Sequence, residues 1–401
     1  MVIQFGSVPG ERAWVGPAPS AEIIRGLHEL APLVRRHAAE MDRRCVLPEE
    51  IVRALFDLRA FRLWIPRRYQ GLELPLPDAL AVYEAAAFID GSLGWAVMIG
   101  AGGGLFAAYL EDGAAREIFG PDRAVIAGSG APDGKAERVE GGYRVSGRWR
   151  YASGAPYATT FTANCIVTHG SELVLDGEGR PLVRAMAFEL SDVTILETWN
   201  ATGMRGTASH DFEVRDAFVP ERRSFSVLTD SPREPGPLYR LPFGVLTELP
   251  VTAVALGIAH HALEAFADFA AKKKIHGSNT PLAQDPAVQT AFGRAHATWR
   301  LAKAGVAALA AQAWEAAVAG QPLQPLMLAE ITAGCARSVS SLREAVDALA
   351  AVAGMTAIQQ DTDFARAWRD LLTLAAHVSV SPIHLAAAGA TLLGARQADN
   401  P

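Results

Sequence analysis

The sequence predicts a mostly α-helical fold with a β domain inserted in its middle. Three observations predict it: helical apolar spacing at the start of the chain, short β-rich runs between glycine-containing turns in the middle, and a return to alanine-rich helical spacing afterwards. They divide the chain into an N-terminal helical domain (1–122), a middle antiparallel β domain (123–230) and a C-terminal helical bundle (231–401). Half of the 401 residues are apolar, enough for one large core or two to three smaller ones.

The N-terminal domain begins with apolar residues at helical spacing, Leu27, Leu30 and Val34 among them. The segment Leu47-Pro48-Glu49-Glu50 is typical of a helix start, because proline fits the first turn and carboxylates favour its positive end. Gly91 to Leu110 carries no charge and is about long enough to cross a bilayer. Its amphipathic surroundings favour a buried helix in an all-helical core instead.

Turn signals divide the middle of the chain, at Asp133-Gly134, at Gly141-Gly142 and over residues 176–179. Between them lie short β-rich runs, such as Thr160 to Val167 and Ala185 to Leu190. This alternation predicts a compact antiparallel β domain of about a hundred residues.

The C-terminal part reads as long helices over Leu249 to Ala271, Pro286 to Ala319 and Leu326 to Ala353, followed by two shorter ones. Ser381-Pro382 predicts the start of the last helix, with serine as N-cap and proline at the first helical position. The same proline breaks any helix that arrives from before it, because it has no backbone N–H to donate. A four-helix array is the expected outcome.

Charge and cysteine content exclude several classes of protein. The formal net charge is −6 and the basic residues are scattered, so no basic face for nucleic acid is expected. Cys45, Cys165 and Cys335 lie far apart without metal-ligand spacing, which favours a reducing compartment. Met1 to Gly10 has no basic-then-apolar signal pattern, so we expect a cytoplasmic protein.

Several short motifs resemble one known family. They are Leu63-Trp64-Ile65-Pro66 with Tyr69-Gln70-Gly71, Ile89 to Trp95, Gly141 to Gly154 (GGYRVSGRWRYASG), Gly203 to Thr207, Ala217 to Pro220, and Arg366 to Asp370 followed by His377. Their content and order resemble the acyl-CoA dehydrogenase superfamily, and most of all its flavin-dependent monooxygenase branch. The resemblance runs through nearly the whole chain, and the Gly141 to Gly154 stretch is its most specific part.

The resemblance implies the acyl-CoA dehydrogenase fold and the activity of a two-component hydroxylase. Such an enzyme takes reduced FMN or FAD from a separate flavin reductase and, with O2, inserts oxygen into an aromatic or other apolar small molecule. The chain shows no nicotinamide-binding unit of its own, which is why a reductase partner is expected. The family also implies a homotetramer.

Site residues follow from the matched positions. Ser153 is expected to contact the flavin ring, and His377 to act as the catalytic base in the last turn of the helix before Pro382. Trp149 and Tyr151 would lie close to the ring, and Trp95 would line the substrate pocket. For the two aromatic residues of the β domain an alternative stays open, since residues two apart on a strand also serve simply to fill a core.

The flavin phosphate has three candidate ligands: Ser129, Arg205 and Lys273, the last within a Lys triplet at the end of a long helix. In the family this region often serves the flavin of a neighbouring subunit. A Lys triplet at a helix end is also an ordinary solvated cap that complements the helix dipole.

The chain departs from the dehydrogenases where their catalytic glutamate stands. Counting on from Arg369-Asp370, that position holds Val378, which cannot abstract a proton. Some dehydrogenases carry the glutamate on the first helix of the C-terminal part, and Glu248 lies within one residue of that place. An acyl-CoA dehydrogenase with Glu248 as base is therefore the first alternative, and a non-catalytic flavin- or ligand-binding homologue is the second.

Overall fold

The computed structural model describes residues 18–394. The outer ends of the two predicted helical domains lie outside the described residues, as does the segment Met1 to Gly10. The helices are α1 (Ala18–Arg44), α2 (Glu49–Asp57), α3 (Leu76–Ile89), α4 (Gly91–Gly102), α5 (Asp112–Phe119), α6 (Val245–Lys272), α7 (Pro286–Val318), α8 (Pro325–Ala353), α9 (Asp363–Leu374) and α10 (His384–Leu392). The strands are β1 (Ile126–Val139), β2 (Gly142–Ala152), β3 (Thr160–His169), β4 (Glu172–Leu173), β5 (Val183–Phe188), β6 (Val193–Leu196), β7 (His210–Pro220) and β8 (Ser224–Phe225).

Helices from both ends of the chain share one hydrophobic core, so the first and third predicted domains form a single helical body. Close backbone approach holds it together. A Cβ on Gly257 of α6 would lie 2.3 Å from the carbonyl oxygen of Glu84 in α3, and one on Gly94 of α4 would lie 2.4 Å from the Cβ of Ala87. Only glycine permits contacts this short.

Two helical segments in the described part are long and apolar enough to cross a bilayer, Gly91–Ala108 and α6. In their most apolar windows, however, 83% and 78% of the residues are buried inside the protein. For the first segment this agrees with the predicted buried helix, which the structure forms from α4 and a following 3-10 turn (Gly103–Ala108).

The predicted long helices of the C-terminal part correspond to α6, α7 and α8 within a few residues at each end. The last helix is present, but its start was predicted two residues too early. It begins at His384, because Ser381 and Pro382 lie in a turn that follows a short 3-10 helix over Val378–Val380. His377 is likewise not in the last turn of α9, which ends at Leu374. It adopts an extended conformation and caps the 3-10 helix instead.

The β domain is one eight-stranded sheet with the order β6-β7-β2-β1-β3-β5-β8, and β4 pairs with β3. Most neighbours are antiparallel, but β1 and β3 are parallel, which corrects the prediction of a wholly antiparallel domain. After the β1–β2 hairpin the chain crosses to the other side of β1, so β3 runs in the direction of β1. The sheet has its own core, which includes Trp149, Phe161 and Phe212. Both predicted domain boundaries fall in connections, after α5 and after β8.

Candidate flavin site at the junction of the two cores

The end of β2 is shaped by a bulge that changes the direction of its last side chains. The pairing of β2 with β7 slips by one residue between Trp149 and Ala152. Tyr151, in between, has a φ of +68°, an uncommon conformation for a residue with a large side chain. The Ser153 N–H donates to the carbonyl oxygen of Tyr151 at 2.9 Å, and the N–H of Gly154 donates to that of Thr207 at 2.9 Å. These bonds fix Ser153 in a tight turn just past the strand.

Three predicted site residues meet at this turn. The indole N–H of Trp95 on α4 donates to the Ser153 hydroxyl at 2.9 Å. The ring of His377 packs edge-to-face on Trp95, with 5.2 Å between the ring centroids. Ser153 and Trp95 are only 7% and 8% exposed. The cluster therefore joins the β domain, α4 and the connection between α9 and α10, at the boundary of the two cores.

One hydrogen bond of the His377 side chain indicates its tautomer. Its Nδ1 accepts the backbone N–H of Ser379 at 3.3 Å, so the neutral ring carries its proton on Nε2. Burial lowers the pKa of His377, which favours this neutral form. Within residues 18–394 the Nε2–H has no hydrogen-bond partner. The imidazole therefore has an unused donor at Nε2, while Nδ1, the nitrogen that could take up a proton, accepts from Ser379. The predicted base role of His377 stays a prediction.

Behind Ser153 lies a short chain of buried hydroxyl groups. The Ser153 and Ser209 oxygens are 2.7 Å apart, as are those of Ser209 and Thr207. The Thr207 hydroxyl donates to the carbonyl oxygen of Met204 at 2.8 Å. Sequence reasoning missed Ser209, and it included Thr207 only as part of a matched motif. No pattern in the sequence indicates that these side chains lie together, since a turn with positive φ at Met204 and Ala208 brings them there.

The loop that carries these hydroxyls is anchored to the helical body by the motif on α9. The Asp370 carboxylate accepts the Met204 N–H at 2.5 Å. Burial, reinforced by the nearby charge of Asp90, raises the pKa of Asp370. Arg366 and Arg369 form ion pairs with Asp42 on α1, at 2.8 and 3.1 Å.

The two aromatic candidates on β2 lie in different surroundings. Trp149 has no exposed surface: its ring stacks on Phe212 at 5.1 Å, and its N–H donates to the Asn164 carbonyl oxygen at 3.0 Å. This corrects the prediction of a flavin contact for Trp149, because the ring is enclosed in the β core. Tyr151 is 62% exposed and meets Trp199 edge-to-face, so its predicted contact with the flavin stays a prediction.

The three phosphate candidates are not brought together in one cluster by any described contact. Ser129 accepts the N–H of Ala131 within a bulge of β1. Arg205 donates to the carbonyl oxygen of Asp42 at 2.6 Å and thereby braces the loop against α1. Lys273 donates to the Ala353 carbonyl oxygen at 2.7 Å, which caps the end of α8. Each has a structural role, and a phosphate contact remains a prediction for all three.

Glu248, the candidate base of the dehydrogenase alternative, lies on α6 and faces α8. The Thr332 hydroxyl lies 3.2 and 3.0 Å from its two carboxylate oxygens. Burial raises the pKa of Glu248, while Thr332 and the neighbouring His384 counteract the shift. No described contact joins Glu248 to Trp95 or Ser153.

Comparison with known families agrees with this architecture. Residues 28–117 match the acyl-CoA dehydrogenase N-terminal domain, and residues 249–382 match the acyl-CoA dehydrogenase C-terminal domain. Together the two matches cover more than half of the chain. The chain belongs to the acyl-CoA dehydrogenase superfamily.

Similar proteins define the branch. An indole-3-acetate monooxygenase of Pseudomonas putida is 28% identical over 97% of this chain and 96% of its own length. The oxygenase component of an FADH(2)-dependent resorcinol hydroxylase from Rhizobium sp. is 27% identical over 90% of this chain and 91% of its own. The structure of XiaF from Streptomyces sp., in complex with FADH2 and glycerol, superposes with a TM-score of 0.86, at 27% identity, over 95% of this chain and 97% of that one. Within the superfamily, this chain is a flavin-dependent monooxygenase of the hydroxylase branch.

Proposed function

We propose that this chain is the oxygenase component of a two-component system, which hydroxylates an aromatic or other apolar small molecule with reduced flavin from a separate reductase. The observation that carries the proposal is the Trp95–Ser153–His377 cluster at the junction of the two cores. Two of the similar proteins are named for aromatic substrates, indole-3-acetate and resorcinol. Two are named with FADH2, and on that ground we propose FAD rather than FMN.

The residues of the cluster fit a reduced flavin. Ser153 Oγ accepts one hydrogen bond from Trp95 and keeps a second lone pair for an N–H of the ring. His377 adds an N–H donor without a partner in the described part. When bound, reduced flavin supplies the two electrons with which one atom of O2 enters the substrate C–H bond and the other leaves as water.

The contribution of the chain itself is to hold polar groups in place and to exclude water. Trp95 and Ser153 are buried, so hydrogen bonds in the cluster form in a medium of low dielectric constant, where they are stronger than in water. His377 holds a proton on Nε2 and presents it to an oxygen atom in the site. Its neutral state leaves no net charge on that wall, which suits an apolar substrate.

An anaerobic titration tests the proposal. The purified chain is titrated with reduced FAD and, separately, with reduced FMN; then 18O2 and a panel of indoles and phenols are added. We expect reduced FAD to bind more tightly, and one 18O atom to appear in the product. Failure to bind either reduced flavin would refute the proposal, as would bleaching of oxidised flavin by an acyl-CoA.

We also propose a homotetramer, carried over from the family. Sedimentation equilibrium measures the molecular mass in solution, and a monomeric mass at micromolar concentration would refute this part.

A further inference from the structure

The hydroxyl chain behind Ser153 has a single arrangement of its protons. Three short contacts follow one another: Ser153 to Ser209, Ser209 to Thr207, and Thr207 to the carbonyl oxygen of Met204. Each contact between two oxygens at 2.7 or 2.8 Å needs a proton between them. Three hydroxyl groups supply three protons, so none is left over.

The carbonyl oxygen of Met204, which ends the row of hydroxyl groups, fixes the direction in which all three hydroxyls donate. A carbonyl oxygen can only accept, so Thr207 donates to Met204. Thr207 must then accept from Ser209, and Ser209 must accept from Ser153. The hydroxyl proton of Ser153 therefore points away from the flavin site, towards Ser209.

What remains on Ser153 is acceptor capacity alone. One lone pair of its Oγ takes the N–H of Trp95, and the other is unused in the described part of the chain. Its backbone N–H is also committed, because it donates to the carbonyl oxygen of Tyr151. Ser153 can thus accept a hydrogen bond from a ligand but has none to give.

We propose that Thr207 and Ser209 set the redox preference of the flavin site by holding Ser153 as an obligate acceptor. The inference rests on the proposed function, in which Ser153 accepts from an N–H of the flavin ring, and it assigns that N–H to N5. Reduced flavin carries a proton on N5 and can donate to Ser153. Oxidised flavin presents a lone pair there, so two acceptors would face each other in a buried place, which is costly. The hydroxyl chain favours the reduced cofactor and releases the oxidised one, as an enzyme fed by a separate reductase requires.

The test compares dissociation constants for reduced and oxidised FAD, measured anaerobically for the wild type, Thr207→Val and Ser209→Ala. Either substitution frees a proton, so that Ser153 can donate to oxidised flavin. We expect the ratio of the oxidised to the reduced dissociation constant to fall by about 10-fold. For a two-electron couple this corresponds to a midpoint potential of the bound flavin that is about 30 mV lower.

Two further variants separate this effect from simple loss of packing. Thr207→Ser keeps the hydroxyl and should keep the wild-type ratio. Thr252→Val removes an equally buried hydroxyl, which donates to the Glu248 carbonyl oxygen in α6, and should leave the ratio unchanged.

The outcomes distinguish the inference from the proposed function. If the wild type binds reduced FAD but Thr207→Val and Ser209→Ala keep its ratio, the inference is wrong and the proposed function stands. If the wild type binds no reduced flavin, both fail. If one of the two variants does not fold, the other still tests the inference, because each substitution interrupts the row of hydroxyl groups at a different residue.

Discussion

Two polar clusters include a histidine from the segment that leads from α9 into α10, and they are built differently. The first is the Trp95–Ser153–His377 cluster, where the helical body meets the β domain. The second pairs Glu248 with Thr332, with His384 nearby, inside the helical body alone. Each contains a hydroxyl and a titratable group that the sequence offers as a candidate base, His377 in the first and Glu248 in the second.

Burial acts on the two titratable groups in opposite directions, and in both it favours the neutral form. It lowers the pKa of His377 and raises that of Glu248. A dehydrogenase base must be a carboxylate that can abstract a proton. Glu248 instead accepts from Thr332, whereas the neutral imidazole has a donor to offer. This difference supports the proposed placement of the chemistry at the junction of the cores, whereas the carboxyl group of Glu248 takes part in packing between helices.

The largest expected effect comes from removing the imidazole at the junction. In His377→Ala the Nε2–H donor is lost, while Ser153 and Trp95 still hold the flavin side of the site. We expect product formation to fall by about 100-fold, with reduced-flavin affinity changed by less than about 3-fold. Stopped-flow product analysis and anaerobic titration measure the two quantities.

His384→Ala is the matched control for this substitution. His384 lies in the same segment, and its Nε2 contacts the Val378 carbonyl oxygen at 2.8 Å, but it takes no part in the junction cluster. Its product formation should stay within about 3-fold of the wild type. Equal losses of flavin binding and product formation in His377→Ala would remove His377 from the chemistry.

An intermediate effect should follow from releasing the loop that carries Thr207 and Ser209. Asp370→Ala leaves the buried Met204 N–H without its acceptor, so we expect a loss of about 1–3 kcal/mol in the free energy of unfolding. Asp370→Asn keeps an acceptor oxygen and mimics the protonated carboxyl that burial favours, so it should lose less. Urea unfolding of the two variants checks the order, and equal losses would show that the Met204 bond is not what Asp370 contributes.

Motif resemblance was sufficient to predict the residues that meet in the junction cluster. Trp95, Ser153 and His377 each stand in a matched motif, and the structure brings all three together. The helical periods similarly predicted α6, α7 and α8, because long amphipathic segments leave a strong pattern.

The directions of the side chains at the end of β2 could not be predicted from the sequence, because they depend on local backbone geometry. Trp149 and Tyr151 are two residues apart, so a regular strand would place both on one face. The bulge and the positive φ of Tyr151 instead leave the first enclosed in the core and the second exposed. The direction of the hydroxyl chain was also beyond sequence reasoning. It depends on the contact between Ser153 and Ser209, which lie far apart in the sequence, and on the Met204 carbonyl oxygen that accepts from Thr207.

The smallest expected effect on product formation belongs to a substitution of Glu248. Glu248→Gln keeps an oxygen that accepts from Thr332, so product formation should stay within about 3-fold of the wild type. The folded-state pKa of Glu248 is raised, so its carboxyl stabilises the fold at low pH, and that stability is lost as the pH rises through the folded-state pKa. At pH 7 the variant should therefore be at least as stable as the wild type.

The pH profile of product formation shows whether His377 or Glu248 causes the decline of the rate at low pH, which is the acid limb of the profile. The pKa of His377 is lowered below its ordinary 6.5, so the neutral ring is fully present above pH 6.5 and is lost as the pH falls through the folded-state pKa. Protonation of Nδ1 keeps the Nε2–H donor, but it breaks the bond from Ser379 that holds the ring in place and puts a positive charge on the wall of an apolar site. We expect the rate to decline only below about pH 6.5, in the wild type and in Glu248→Gln alike, and His377→Ala to lack this decline. An acid limb that disappears in Glu248→Gln and persists in His377→Ala would transfer the chemistry to the carboxyl group on α6 and revive the dehydrogenase alternative.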